Sequence, residues 1–340
     1  MSSVGFAERR AAAGKSGTTS RLAIALAIAT AASPGIAGER PASLAAAHGL
    51  IAEAGPPRIQ LAAVFGRDDR RPVFASRLDL RERVGLLRHS GTGATCSAFC
   101  VAPDVIATAG HCVQAGETGT APEPAGYRFR RDVDSATEAT TLAPSEVDDA
   151  ASALRVLATG SAKLRTRPPI NATSDWALLR LARPACRAGG FPVSDLDEGG
   201  IAARARQGRL FQVGFHRDLG RWHLAIARPC VLVMPSAEHR KTIQRDFETP
   251  NRLLLHRCDT GPASSGSPLL TDGPGGPEVV GINVGTYVRS RVITTDGGAV
   301  QRLSSETIAN TAILAQPLAR ELESFVRRGR GGPATGNTSR

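Results

Sequence analysis

Three residues in this sequence have the types and surroundings that nucleophilic catalysis requires: His111, Asp175 and Ser265. A serine hydroxyl is a poor nucleophile at its own pKa, so it needs a base within hydrogen-bond reach. A histidine base in turn needs a carboxylate that holds its tautomer and stabilises the imidazolium. The three residues therefore form a candidate triad for acyl transfer.

The spacing and the neighbouring residues support this triad. His111 and Asp175 are 64 residues apart, and Asp175 and Ser265 are 90 apart, so a fold must bring them together. Each one adjoins a predicted strand or a loop between strands. The apolar segments that position them are Val105–Ala107 before His111, Trp176–Leu181 after Asp175, and Leu253–Leu255 and Leu269–Leu270 around Ser265.

The composition indicates an all-β protein. The chain has 340 residues, with 36 glycines and 22 prolines, and many short apolar segments lie between turn signals. Such a pattern is typical of antiparallel barrels, and the length fits about two domains.

Five segments together resemble the trypsin-like serine peptidases, especially the bacterial branch that includes V8-type glutamyl endopeptidases. The His, Asp, Ser order is the one found in chymotrypsin-like enzymes. The resemblance covers roughly residues 60 to 327 and implies two antiparallel six-stranded β-barrels, with the active site between them. The segments are Phe65–Arg70 (G-x-D-D-R), Thr108–Cys112 (TA-x-HC), Phe211–Phe215, Ser265–Pro268 (S-G-S-P) and Val279–Gly285.

The N-terminus has the features of an export signal. Four basic residues precede the apolar run Leu22–Ala32, and small residues at Gly35 and Ala37 have the spacing of a cleavage site. The alternative is a membrane anchor, but the apolar run is short for a spanning helix. We expect a secreted or periplasmic protein, with membrane contact only if this segment is not cleaved.

The predicted domain boundaries follow from these features. Pro317 is suited to the first position of a helix whose apolar side chains share one face. The predicted parts are a signal peptide (1–37), an N-terminal or propeptide segment (38–58), a first barrel (59–182), a linker (183–205), a second barrel (206–303), a C-terminal helix (304–328) and a disordered tail (329–340).

Six cysteines fit an oxidising compartment and a disulfide framework. Cys96 and Cys112 bracket the strand before His111, and this pair matches the family disulfide that anchors the catalytic histidine. We pair Cys230, in a predicted strand, with Cys258, which lies seven residues before Ser265. Cys100 and Cys186 then remain, and they are paired by elimination alone.

The charge pattern argues against a nucleic-acid partner. The formal charge is +11, but the basic residues are scattered and only 4 % of residues are aromatic. No CxxC pair or ligand-spaced histidines indicate a metal site, and we expect no cofactor. The expected partner is a protein or peptide substrate, and the sequence carries no signal for an oligomeric state.

The nucleophile loop predicts an oxyanion hole with one unusual residue. The resemblance implies that the backbone N–H groups of Ala263 and Ser265 hold the developing oxyanion. Glycine is usual at the position of Ala263, and alanine is strained there if φ is positive. Gly261 or a shifted register would relieve that strain. Ser264 replaces the acid of the common motif, so activation by an ion pair with a new N-terminus is not expected.

The substrate pocket is predicted from three positions, Asp259, Asn283 and Gly285. Asp259 lies six residues before Ser265, where trypsins have the acid that receives Arg or Lys. In bacterial relatives the same D-T pair also occurs in a structural role. Asn283 stands where the glutamyl branch has a histidine, which argues against strict Glu specificity. Other second-barrel histidines are expected to be packed or solvated: His216, His223 and His256.

Two functional hypotheses follow. The first is an exported serine endopeptidase that works through His111, Asp175 and Ser265 and an acyl-enzyme. The second is a catalytically weak homologue that uses the two barrels as a protein-binding module, and Ala263 alone motivates it.

Overall fold

The computed structural model describes residues 58–60, 62–113, 126–131, 140–141, 156–161, 163–219, 223–294 and 300–330. The predicted signal peptide, most of the 38–58 segment and residues 331–340 lie outside these ranges. The described strands are β1 (Arg58–Gln60), β2 (Arg71–Pro72), β3 (Val84–His89), β4 (Thr95–Ala102), β5 (Val105–Ala109), β6 (Tyr127–Arg131), β7 (Thr140–Thr141), β8 (Leu157–Thr159), β9 (Trp176–Arg180), β10 (Leu210–Phe215), β11 (Leu224–Ala227), β12 (Leu253–His256), β13 (Pro268–Gly273), β14 (Gly276–Thr294) and β15 (Val300–Leu314).

These strands form two antiparallel sheets, as the all-β prediction requires. In the described part of the chain, the first sheet has the order β7-β6-β3-β4-β5-β9-β8. The second has the order β12-β15-β14-β13-β10-β11-β2, and β1 pairs with β14. The first sheet is six strands plus the two-residue β7, and the second is β10–β15 plus the short strands β1 and β2.

Apolar side chains from both sheets pack into one core. Phe99 of β4 and Leu178 of β9 belong to the same buried cluster as Phe211 and Phe215 of β10 and Ile282 of β14. All five residues of β5 and all six of β10 are buried, because these strands lie where the two sheets meet. Burial of apolar area at this junction fixes the two sheets against each other.

The N-terminal strands belong to the second sheet rather than to the first barrel, where the sequence analysis placed residues from 59 onward. β1 pairs with β14 and β2 pairs with β11, both antiparallel. The physical reason is a set of hydrogen bonds between residues 62–70, here called the lead segment, and the loop before Ser265. In that loop, the Asp259 carboxylate accepts hydrogen bonds from the N–H groups of Phe65 and Asp69 in the lead segment.

Four helices are described: α1 (Leu78–Arg81), α2 (Glu198–Arg206), α3 (Ala237–Asp246) and α4 (Ala319–Arg330). The boundary predicted at 303/304 lies inside β15, which continues to Leu314 because it pairs there with Gly281 of β14. A short turn containing Pro317 leads into α4, whose Phe325 is fully buried. Among the described residues, no helix is long and apolar enough to cross a membrane.

Three disulfides are formed, and their pairings match the expected ones. Cys96 on β4 is bonded to Cys112, Cys100 on β4 to Cys186, and Cys230 to Cys258. Two of the three anchor β4 in the first sheet. The third ties the segment after β11 to the loop that leads to Ser265.

Candidate active site

The His111 side chain projects from the end of a buried strand. β5 ends at Ala109, and a single 3-10 turn from Gly110 to Cys112 follows. The disulfide from Cys112 to β4 fixes the far side of that turn. His111 keeps 19 % of its side chain exposed, so the ring is accessible while its backbone is anchored.

Asp175 reaches His111 because of the strand register. Ala109 of β5 pairs with Trp176 of β9, which places Asp175 beside the turn that carries His111. The Asp175 side chain is fully buried. Its Oδ1 accepts from the His111 backbone N–H at 2.6 Å, and its Oδ2 contacts His111 Nδ1 at 2.6 Å. One carboxylate therefore holds both the backbone and the ring of this histidine.

The Asp175 contact sets the charge properties of the imidazole. Burial lowers the pKa of His111, but the charge and hydrogen bond of Asp175 outweigh burial, so the pKa is raised above its usual value. When the Nδ1–H donates its hydrogen bond to the carboxylate, the neutral ring presents Nε2 as a proton acceptor.

The Ser265 loop lies between β12 and β13, directly against β5, the strand that leads to His111. Gly266 has φ +79, and a Cβ there would lie 2.0 Å from Thr108 Oγ1 and 2.8 Å from the Ala109 nitrogen. Only glycine allows this approach. The Ser265 carbonyl also accepts from the Ser97 N–H of β4 at 2.9 Å. The loop is thus fixed to both β4 and β5.

The Ser265 hydroxyl donates to the Val284 carbonyl of β14 at 3.3 Å. Within the described ranges, no hydrogen bond joins Ser265 to His111. Such bonds are often long or misaligned without substrate and tighten when substrate binds. The structure therefore joins His111 to Asp175 directly and brings the Ser265 loop to the same strand end.

Two backbone N–H groups of this loop, those of Ala263 and Ser265, have no acceptor among the described residues. The peptide carbonyl opposite each of them is engaged. Pro262 O accepts from the Arg217 N–H at 2.8 Å, and Ser264 O accepts from the Ser267 N–H at 3.0 Å. In a trans peptide the N–H points away from the C=O. Holding these carbonyls therefore fixes the directions of the two unpaired N–H groups.

Ala263 has φ +77 and is the one non-glycine residue with positive φ in the described chain. The steric cost that the sequence predicts for a positive φ is therefore present, and neither Gly261 nor a shifted register removes it. For an L-residue this region costs about 1–2 kcal/mol. Strained backbone of this kind is concentrated at functional sites.

Both carboxylate oxygens of Asp259 accept hydrogen bonds from the lead segment. Its Oδ1 accepts from the Phe65 N–H at 2.7 Å and its Oδ2 from the Asp69 N–H at 2.9 Å. Burial and the Asp259 carboxyl raise the pKa of the Asp69 carboxyl to about 6. The next residue, Thr260, exchanges hydrogen bonds with Ala63. These contacts favour the structural alternative for Asp259 over a pocket role.

Asn283 and Gly285 lie on β14 beside the nucleophile loop. The Asn283 side chain is fully buried, and its Nδ2 donates to the Ser264 carbonyl at 3.2 Å. Its backbone carbonyl accepts from the Gly266 N–H at 2.8 Å. The Gly285 carbonyl accepts from the Thr311 hydroxyl at 3.0 Å. Asn283 thus supports the loop that its strand faces.

The buried histidines of the second sheet are neutral packing residues. Burial lowers the pKa of His216 and of His256 to about 4. Nδ1 of His216 accepts from the Gly261 N–H, and Nδ1 of His256 accepts from the Cys258 N–H. Each ring therefore stabilises the backbone on the approach to Ser265.

Among the described residues, one group has metal-ligand spacing: Cys96, His111 and Cys112, with ligand atoms within 4.8 Å of one another. Both sulfurs belong to a disulfide, whereas a metal requires a thiolate. This group does not fit a metal site.

The sequence analysis missed Ser97, Thr108 and Val284 as residues that contact the loop. Thr108 belongs to the TA-x-HC motif, so its position was a usable signal. Val284 lies in the Val279–Gly285 segment, so its strand was also a usable signal. Ser97 contacts the loop from a distant strand, and no local pattern marks it.

Two antiparallel sheets with this histidine, carboxylate and serine loop at their junction define a chymotrypsin-fold serine peptidase. The sequence matches a trypsin-like peptidase domain over residues 96–282. This chain belongs to the trypsin-like peptidase family.

Two further comparisons concern individual proteins. A solved structure described as "Structure of Glu endopeptidase in complex with MPD" is similar over 78 % of this chain and 98 % of its own, with a TM-score of 0.43 and 15 % sequence identity. No curated protein matches this chain in sequence.

Proposed function

We propose that this chain is an exported serine endopeptidase with Ser265 as nucleophile, His111 as general base and Asp175 as the carboxylate that orients it. The observation that carries the proposal is the Asp175 carboxylate, which binds the backbone and the ring of the same histidine. This contact supports a fixed, neutral imidazole beside the serine loop, which is the base that a serine nucleophile needs.

In the proposed reaction, Ser265 Oγ attacks the carbonyl carbon of the scissile peptide bond while its proton passes to His111 Nε2. The N–H groups of Ala263 and Ser265 stabilise the oxyanion that forms. His111 then protonates the leaving amine, the C–N bond breaks, and an acyl ester remains on Ser265. A water molecule then attacks the ester carbonyl carbon while giving a proton to His111 Nε2. His111 returns this proton to Ser265 Oγ as the ester C–O bond breaks, so the acid product leaves and the serine hydroxyl is restored.

Export is supported by the three disulfides, because such bonds persist in oxidising compartments. The proposed signal peptide at 1–37 lies outside the described residues. The proposed substrate is a protein or peptide. Asp259 is given no role in recognising a basic side chain, since both of its carboxylate oxygens bind backbone N–H groups.

The alternative of a catalytically weak binding module rests on the strain at Ala263. Two observations favour the enzyme over that alternative. The N–H groups of Ala263 and Ser265 have no acceptor among the described residues, and the opposite carbonyls are held by other donors. An oxyanion hole needs such donors in fixed positions.

Labelling with an organofluorophosphonate probe tests the proposal. The probe should form a covalent adduct with the reactive serine of the exported protein. Tandem mass spectrometry should place this adduct on Ser265 rather than on Ser264. The Ser265→Ala variant and heat-unfolded protein serve as unlabelled controls. Folded mature protein that never labels would support the binding-module alternative instead.

Ala263→Gly is expected to stabilise the protein slightly and to maintain or raise turnover. Glycine removes about 1–2 kcal/mol of left-handed strain, and the greater freedom of the unfolded chain offsets about 0.4–1 kcal/mol of that gain. Thermal unfolding and steady-state kinetics measure both effects. The matched control is Ala205→Gly in α2, which should destabilise by about 1 kcal/mol, because glycine is unfavourable in helices. A clear loss of turnover in Ala263→Gly would contradict the strain argument.

A further inference from the structure

Ser97 lies on β4 of the first sheet and is fully buried against the nucleophile loop of the second. All of its polar groups are used. Its N–H donates to the Ser265 carbonyl at 2.9 Å, and its carbonyl accepts from the Thr108 hydroxyl at 2.8 Å. Its hydroxyl contacts the Phe215 N–H and the Ala263 carbonyl. Two of these four bonds reach the loop that carries Ser265.

The direction of the Ser97 hydroxyl bond is fixed by its neighbours. Oγ accepts from the Phe215 N–H at 2.8 Å, so that N–H occupies one side of the oxygen. A hydroxyl has a single hydrogen to donate. That hydrogen is directed to the Ala263 carbonyl, 3.0 Å away, which has no hydrogen of its own to offer.

This bond acts on the residue that is under strain. The peptide between Ala263 and Ser264 is held at both ends, because the Ser264 N–H donates to the Gly261 carbonyl at 3.1 Å. The preceding peptide is held by the Arg217 N–H at the Pro262 carbonyl. Fixing the peptide on either side of Ala263 fixes its φ and ψ. Without these contacts, alanine would favour negative φ.

We propose that Ser97 is a positioning residue: its hydroxyl fixes the peptide after Ala263, as the Arg217 N–H fixes the peptide before it, and so keeps Ala263 in the left-handed conformation that directs its N–H at the oxyanion. This role rests on the proposed function. Glycine adopts the left-handed conformation without a steric cost, whereas alanine requires hydrogen bonds from neighbouring residues to stay in it. The Ser97 hydroxyl on β4 supplies one of these hydrogen bonds from the opposite sheet, so Ser97 and Ala263 act as a pair.

A double-mutant cycle between Ser97→Ala and Ala263→Gly tests the pair in the full exported protein. Ser97→Ala alone should lower kcat by about 10- to 100-fold, less than the 10²–10³ expected when an oxyanion donor is lost outright. KM and the pH limb of His111 should not change. In the Ala263→Gly background, the same substitution should lower kcat only a few-fold, because glycine needs less restraint.

Two further variants separate positioning from general support. Ser97→Thr keeps a hydroxyl and should retain kcat within a few-fold of the parent protein. Ser194→Ala removes another buried hydroxyl, whose one hydrogen bond within the described residues is from the Leu196 N–H, and should leave kcat unchanged in both backgrounds. If Ser97→Ala does not fold, the Ser97→Ala/Ala263→Gly double variant should fold and turn over substrate.

Several outcomes would overturn the role of Ser97. An equal loss of kcat in both backgrounds would show that the hydroxyl acts independently of Ala263. A kcat of Ser97→Ala within twofold of the parent, with only a lower unfolding temperature, would show a purely structural residue. Failure of the double variant to fold would also exclude the pairing. A parent protein that never labels at Ser265 would instead overturn the proposed function, and this role with it.

Discussion

Asp175→Asn is expected to lower the acylation rate by about 10⁴-fold while leaving the fold intact, as the equivalent change does in one well-characterised serine protease. His111→Ala should cost several orders of magnitude by removing the base itself. The rate of probe labelling at Ser265 measures both effects without a known substrate. Circular dichroism and thermal unfolding should show folded protein in each case.

The size of the Asp175→Asn effect follows from the geometry of the carboxylate. The His111 backbone N–H needs an acceptor at the position of Oδ1, so the amide oxygen of an asparagine takes that place. The amide NH₂ then faces His111 Nδ1 at the position of Oδ2. An NH₂ group can only donate there, so the ring must carry its proton on Nε2. Such a ring cannot accept the proton of Ser265.

The pH dependence gives a second readout of the same pair. Activity should rise with pH as His111 loses its proton, with a midpoint above the ordinary histidine value of about 6.5, because Asp175 raises the pKa of His111. In Asp175→Asn the residual activity should have its midpoint at lower pH. Burial, which lowers the pKa, then acts without the opposing carboxylate.

The control is Asp197→Asn, which keeps an oxygen to cap α2 at the Gly200 N–H and should be fully active. Near-normal labelling of Asp175→Asn, or an unchanged midpoint, would rule out Asp175 as the orienting residue.

The sequence predicted the parts of this site that are encoded locally. His111 and Ser265 sit in short motifs, and Asp175 directly precedes an apolar strand. Each of these signals spans a few residues, so it can be read without the fold. The all-β class followed in the same way from short apolar segments between glycines and prolines.

The parts that the sequence did not predict depend on contacts between distant residues. The lead segment binds Asp259 and Thr260 across nearly 200 positions: the bonds from the N–H groups of Ala63, Phe65 and Asp69 to these two side chains span 190 to 197 residues. Nothing local to residues 58–72 indicates that they join the second sheet. Ser97 reaches Ala263 across 166 residues. The last part of β15 mixes polar and apolar residues, so its strand was not predicted, and pairing with β14 extends it to Leu314.

Gly266→Ala is expected to reduce labelling of Ser265 by about 10²–10³-fold and to destabilise the protein markedly. A Cβ at this position would lie 2.0 Å from Thr108 Oγ1, 2.4 Å from the Ser97 carbonyl oxygen and 2.8 Å from the Ala109 nitrogen. Two of these three atoms belong to the backbone of β4 and β5, so the loop itself must move away. A displacement of about 1 Å can cost about 10² in rate, and loss of an oxyanion donor costs 10²–10³.

Gly189→Ala separates backbone strain from the loss of this contact. Gly189 has φ +74, close to the +79 of Gly266, but a Cβ there would meet nothing within 4 Å. Gly189→Ala should therefore lower the free energy of unfolding by about 1–2 kcal/mol through left-handed backbone strain alone. The rate of labelling at Ser265 should not change. The difference between the two variants measures how much activity depends on the close approach of the Ser265 loop to β5, the strand that leads to His111. Equal labelling rates would mean that this approach does not position the nucleophile, and the site would then need a different account of how Ser265 meets its base.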